Sequence, residues 1–185
     1  PQPDGSLLFF TSDRNGQAAL WSMRADGSEQ TQLYAAPGAV SFSISPNGQH
    51  VAYARPEPNG YDLYLDGALW ISLPGDQVRY VWSPDSNLVV FENEADPRVL
   101  SVAETGSGAA LPVTAESYES WNPTWGPDSQ RLAFASTLDG NAGIYVASLD
   151  SGVVRLTSLD VWSQAPAWSP DGSSIAFIGG EPDKS

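Results

Sequence analysis

Three observations predict an all-β chain of the β-propeller class, built from four-stranded antiparallel blades, with about four blades' worth of sequence in 185 residues. A Pro-Asp or Pro-Asn turn recurs at Pro3, Pro46, Pro84, Pro127 and Pro170, in steps of 43, 38, 43 and 43 residues. The residues five, six and seven places beyond each of these prolines are apolar in all five copies, as in Val89-Val90-Phe91 and Leu132-Ala133-Phe134. No apolar stripe of helical spacing is sustained, and 17 glycines and 15 prolines punctuate the chain. A repeat of about 40 residues made of short strands is the sequence signature of a propeller. The prediction is one domain, 1–185, with repeats near 3–45, 46–83, 84–126 and 127–169 and a partial copy at 170–185.

The turn has a physical basis. Proline pre-sets φ for the first central position of a type I turn, and Asp or Asn bonds local backbone groups from the next. Asp4, Asp85, Asp128 and Asp171 therefore read as turn formers, since a catalytic acid rarely recurs once per repeat. Trp82, Trp125 and Trp168 each stand two residues before a turn proline. They read as packing between repeats.

The elements follow in order. The chain starts inside a repeat, with strands predicted at 7–11, 19–23 and 30–34. The second repeat supplies 40–44, 51–54, 61–65 and 68–72, and Asp66-Gly67 between the last two is the strongest hairpin signal in the chain. The third, short repeat supplies 78–82, 88–91, 98–102 and 110–114. The fourth, most regular repeat supplies 121–125, 131–136, 143–148 and 153–157. The fifth supplies 163–168 and 174–178. The second strand of a blade thus occurs at both ends, and these incomplete terminal blades offer edges for self-association.

Composition narrows the function. Eight Lys and Arg stand against 22 Asp and Glu, a formal charge of −14. Such a surface repels nucleic acid and anionic membrane, so neither is expected as a partner. There is no cysteine, which removes disulfides, thiol nucleophiles and thiolate zinc sites. No apolar run reaches the roughly 20 residues of a membrane span, and no signal peptide is read at a chain that begins with Pro.

The pattern Trp168-Ser169-Pro170-Asp171-Gly172 followed by Ile175-Ala176-Phe177 resembles the Pro-Asp propeller repeats of the TolB-like family. The likeness extends to Ile144-Tyr145-Val146, Asp150-Ser151-Gly152 and Arg155-Leu156-Thr157, and Leu20-Trp21-Ser22-Met23 echoes the same half-repeat. The resemblance implies a six-bladed ring, often periplasmic or of the bacterial cell envelope, that acts by protein–protein contact. The chain departs from it in holding about four blades. Related repeats also form the non-catalytic propeller of prolyl-oligopeptidase-like enzymes.

Candidate chemistry is sparse. There is no Gly-x-Ser-x-Gly elbow, and the one histidine, His50, follows a surface turn without an ordered Ser or Cys partner. Asp13-Arg14-Asn15-Gly16 and Asp139-Gly140-Asn141 have some features of calcium loops, but neither has the later acidic ligand, and both sit where a strand-to-strand turn is required. No metal, cofactor or catalytic residue is assigned. The loops that enter the inner strands differ between repeats, and variable loops on a rigid scaffold are where propellers bind. They carry Glu116, Tyr118, Glu119 and Trp121 in one repeat and Asp160 and Trp162 in the next. Aromatics beside acids suit a protein or peptide anchor, or a sugar platform. Against that stands inter-blade packing, above all for Trp121, four residues before Trp125 and so able to share its face. The expected function is a non-catalytic interaction module, periplasmic or extracellular. The alternatives are a substrate-gating propeller whose hydrolase domain is absent and a carbohydrate-binding propeller.

Overall fold

The computed structural model describes residues 7–75, 78–93, 97–107, 109–115 and 117–180. All regular structure in them is β-strand. The chain forms two compact units, Pro1–Asp76 and Gln77–Ser185.

The first unit holds two antiparallel sheets. One is β1 (Leu7–Ser12), β2 (Ala19–Arg24) and β3 (Thr31–Ala35); the other is β4 (Ser41–Ile44), β5 (Val51–Glu57), β6 (Gly60–Leu65) and β7 (Ala68–Pro74). The Asp66-Gly67 hairpin forms as expected, with φ of 50° and 89° at the two residues. Positive φ at both central positions twists the hairpin with its strands. The core is aromatic: Tyr53 stacks on Tyr64 at 5.0 Å and meets Tyr34 and Phe42 at 5.5 and 5.7 Å.

The second unit holds three antiparallel sheets. They are β8 (Val78–Trp82) to β11 (Ala110–Pro112) through β9 (Leu88–Asn93) and β10 (Val99–Glu104); β12 (Ser120–Trp125) to β15 (Gly152–Arg155) through β13 (Arg131–Ser136) and β14 (Gly143–Ser148); and the pair β16 (Trp162–Trp168) and β17 (Ile175–Gly180). In each, sequence neighbours are sheet neighbours, the meander of a propeller blade. Between the first two sheets lies a hydrophobic core of Val90, Leu100, Val102, Trp125, Leu132, Phe134, Tyr145 and Ala147. Burying a large aliphatic or aromatic side chain of this kind contributes about 1.5–3 kcal/mol.

The recurring turn works through a residue that its proline overshadows. Ser83 Oγ donates to Asp85 Oδ1 at 2.6 Å and accepts from the Leu88 amide at 2.9 Å. Ser45 with Asn47 and His50, and Ser169 with Asp171 and Ser174, repeat the arrangement. The serine hydroxyl thus ties the turn to the next strand. Where Gly126 replaces it, Asp128 Oδ1 bonds the Arg131 amide directly at 3.1 Å. The residue after the Asp or Asn has positive φ in all four described turns: Gly48, Ser86, Ser129 and Gly172, at 73°, 68°, 58° and 69°. The turn at Pro3 and Asp4 lies outside the described residues.

Candidate functional site

Two tryptophans of the repeat, Trp125 and Trp168, are inter-sheet anchors. Trp125 is 6% exposed, and its indole Nε1 donates to the Val81 carbonyl of the preceding sheet at 3.0 Å. Trp168 Nε1 donates to the Thr124 carbonyl at 3.3 Å. Trp82 is buried, whereas Trp168 is half-buried, with the Arg131 guanidinium 4.6 Å from its ring centre. Pro84, Pro127 and Pro170 are exposed at the turn tips.

The turn carboxylates are tuned by the same geometry. Bonds from the Ser169 hydroxyl and from the Ser173 amide and hydroxyl hold the Asp171 carboxyl down at about 2. Burial raises the pKa of Asp85, but bonds from Ser83 and Asn87 outweigh it and leave the group below the usual range. Asp128 is likewise held low: burial opposes, and the Gln130 amide and Arg131 prevail. These directions report satisfied turn acceptors, because hydrogen bonds to the charged form favour it.

The loop residues singled out in sequence lie at one end of the second unit's last two sheets. Ser120 pairs with Ser136 and Ser136 with Gly143, so the start of β12, the end of β13 and the start of β14 lie together. The loop 137–142 ties the two entry loops to itself. Glu119 donates its amide to Thr137 Oγ1 at 3.1 Å, and Asn141 Nδ2 donates to the Leu159 carbonyl at 3.0 Å. On this scaffold Glu119 and Asp160 are exposed, Trp162 is 37% exposed, and Leu138 and Leu159 are 38% and 57% exposed. Tyr118 is half-buried, and Glu116 lies outside the described residues.

Trp121 and Trp125 do not share a face. Trp121 pairs with Ala135 and Trp125 with Leu132, so four steps along β12 match three along β13. The extra residue is a bulge, with Asn122 at φ 52° before Pro123, and it reverses the alternation of side chains. β16 repeats the device at Ala165, φ 51°, before Pro166. The Asn122 amide donates to Oε2 of Glu92 at 3.1 Å, and Glu92 is 2% exposed. Sequence reasoning missed Glu92. Its signal was a charge directly after the apolar triplet, where the neighbouring repeats have Ala54 and Ala135.

The other candidate loops have structural partners. Asp139 Oδ2 accepts from the Tyr145 hydroxyl at 2.9 Å and lies 3.7 Å from Arg155. Burial pushes the Tyr145 phenol above its ordinary pKa. The Arg14 guanidinium sits 4.6 Å from the Trp21 ring centre and bonds Gln30. His50 Nδ1 lies 2.7 Å from Asp66 Oδ2 at a turn. Among the described residues no group of three or more His, Asp or Glu could hold a metal ion, and no helix is long and apolar enough to cross a membrane.

Comparison with known proteins places this architecture. No curated protein matches the chain. A protein assigned as TolB from Agrobacterium tumefaciens has a similar structure, with TM-score 0.72 and 22% identity over 98% of this chain and 69% of its own. An oligogalacturonate lyase from Vibrio parahaemolyticus is similar at TM-score 0.74 and 15% identity, over 100% of this chain and 58% of its own. A dipeptidyl peptidase 4 from Porphyromonas gingivalis is similar at TM-score 0.71 and 14% identity, over 97% of this chain and 35% of its own. At such identities these likenesses establish a shared propeller fold. The sequence model of the TolB β-propeller domain matches residues 77–183, more than half of the chain. The chain belongs to the TolB β-propeller domain family.

Proposed function

We propose that this chain is a non-catalytic interaction module, TolB-like, that binds a protein or peptide through the loop face around Glu119, Asp160 and Trp162, in the periplasm or outside the bacterial cell. The observation that carries the reading is the exposure of Trp162 and Leu159 beside two carboxylates on loops cross-braced by hydrogen bonds. An aromatic and an aliphatic side chain held on a rigid frame lose little entropy on binding, and the acids select a cationic partner. Family membership supports the reading, and the formal charge of −14 adds attraction at long range.

A peptide library displayed on phage and selected on this chain tests it. The selected peptides are expected to be rich in Arg or Lys with aromatic residues. Calorimetry should show them about tenfold weaker against Trp162→Ala or Asp160→Asn, with circular dichroism unchanged. Peptides that bind parent and variants equally would remove the site from this face.

The likeness to a dipeptidyl peptidase favours one second reading, a propeller that gates substrate for a hydrolase domain. A hydrolase domain encoded in the same polypeptide would establish it. A third reading is a sugar platform. The acids on this face disfavour an anionic oligosaccharide, and a glycan array that returns neutral sugars dependent on Trp162 would favour it.

A further inference from the structure

The opposite end of the same unit carries a second surface, independent of the loop face. β10 and β14 end there, and the turns that follow them lead into β11 and β15. Between the sheets β8–β11 and β12–β15 a groove of about 550 Å³ opens to solvent. Its floor is the end of the inter-sheet core: Val102 and Ala147, with Leu88 and Val113 packed against them. Its rims are apolar and exposed: Leu111 at 70%, Leu149 at 42% and Val153 at 36%.

Small residues keep the groove open. Ala147 stands opposite Leu132 in its sheet, and the matching position opposite Leu8 in the first sheet is Met23. Gly152, at φ 90°, and Ala109 add no bulk. A groove of this size falls within the range of about 300–1,000 Å³ typical of ligand sites.

Charge decides what fits. Among the described residues Glu104 is the charged side chain that lines the groove, and no Arg or Lys lines it. Among the described residues Glu104 has no ion-pair partner. Asp150, in the turn beside Leu149, adds a second negative charge. A cation is therefore favoured at one end and aliphatic side chains along the rest.

We propose that this groove docks an extended peptide segment of a partner protein, carrying two aliphatic side chains on one face and a Lys or Arg that meets Glu104. The aliphatic groups cover the exposed ends of Leu111, Leu149 and Val153, and the carboxylate fixes the direction of the segment. This is a second recognition point, on residues that the loop face does not use.

The test uses two labelled synthetic peptides of alternating Leu and Ser, one ending in Arg and one in Glu, with fluorescence anisotropy as the readout. The Arg peptide should bind about tenfold tighter than the Glu peptide at low salt, the preference should fall with added salt, and Glu104→Gln should abolish it. Leu111→Lys, at a highly exposed position, should weaken both peptides by about tenfold, with a thermal melt confirming the fold. Equal binding of the two peptides, or binding unmoved by Leu111→Lys, overturns the proposal. Sedimentation of the peptide-free chain gives the last arm: a dimer that Leu111→Lys dissociates would make the occupant a second copy and overturn it too. The loop face is tested with other peptides and other variants, so either reading can fail alone.

Discussion

Replacing Ser83 by Ala tests whether the serine hydroxyl is the clasp of the repeat turn. Ser83 is 0% exposed, and its hydroxyl makes two short bonds, 2.6 Å to Asp85 and 2.9 Å from the Leu88 amide. The variant deletes both and leaves the Leu88 amide without its side-chain acceptor. A hydrogen bond to a charged group contributes about 1.5–3 kcal/mol, and an orphaned buried donor costs about 1–3 kcal/mol. These overlap, so the expected loss is about 2–3 kcal/mol, read as a lower urea midpoint at unchanged slope. Asp85→Ala should cost a similar amount. Asp85→Asn should cost about 1 kcal/mol or less, because Asn47 performs the same task in the second repeat, accepting from Ser45 and from the Gln49 amide. A loss below about 0.5 kcal/mol for Ser83→Ala, or equal losses for Asp85→Asn and Asp85→Ala, would refute the clasp.

Three further outcomes are expected. Trp125→Phe removes the indole bond to Val81 and should cost about 1 kcal/mol, against about 3–5 kcal/mol for Trp125→Ala, both read from urea midpoints. Gly143→Ala would set a methyl group 2.6 Å from the Arg155 guanidinium carbon, so it should expel Arg155 from its place over Tyr145 and destabilise by about 1–3 kcal/mol; combining it with Arg155→Ala should recover part of that loss. Asp171 is depressed from 3.8 to about 2 in the folded chain. Its contribution is complete above the unfolded value and is lost as pH falls through the folded one, so the parent should lose more stability between pH 4 and pH 2 than Asp171→Asn. Identical pH profiles of the urea midpoint would remove Asp171 from the account.

The blades were legible because their cause is local. Proline fixes one torsion, the next residue closes the turn, and the apolar triplet buries the following strand, so each signal lies within about a dozen residues. What escaped the sequence depends on partners far along the chain. The serine clasp hides because serine is common in turns and its bonds run both to the turn and to the next strand. The bulge at Asn122 hides because a left-handed residue before proline is contrary to ordinary preference. Without it, Trp121 and Trp125 read as able to share a face. The arginines that cover aromatic pairs come from unlike positions: Arg14 from a loop, Arg55 from a second strand and Arg155 from a fourth. No spacing rule could have found them. On the loop face, the sequence indicated the residues, and the bracing by Thr137 and Asn141 emerged only in three dimensions.

Four of the bonds between sheets of the second unit span about one repeat step. Trp125 reaches back 44 residues to Val81, Trp168 reaches back 44 to Thr124, Ser129 meets the Asp85 amide across 44, and Arg131 approaches the Gly172 carbonyl across 41. Each junction is therefore a self-contained latch between neighbours in the row. A gene that duplicates or loses one whole Trp-bearing repeat, such as those of Trp125 and Trp168, keeps the indole latch, because the new neighbour offers a carbonyl at the same place. A change by half a repeat breaks two latches at once. Blade number in such a chain is accordingly free to drift by recombination in whole units, while the spacing inside a unit is held nearly constant.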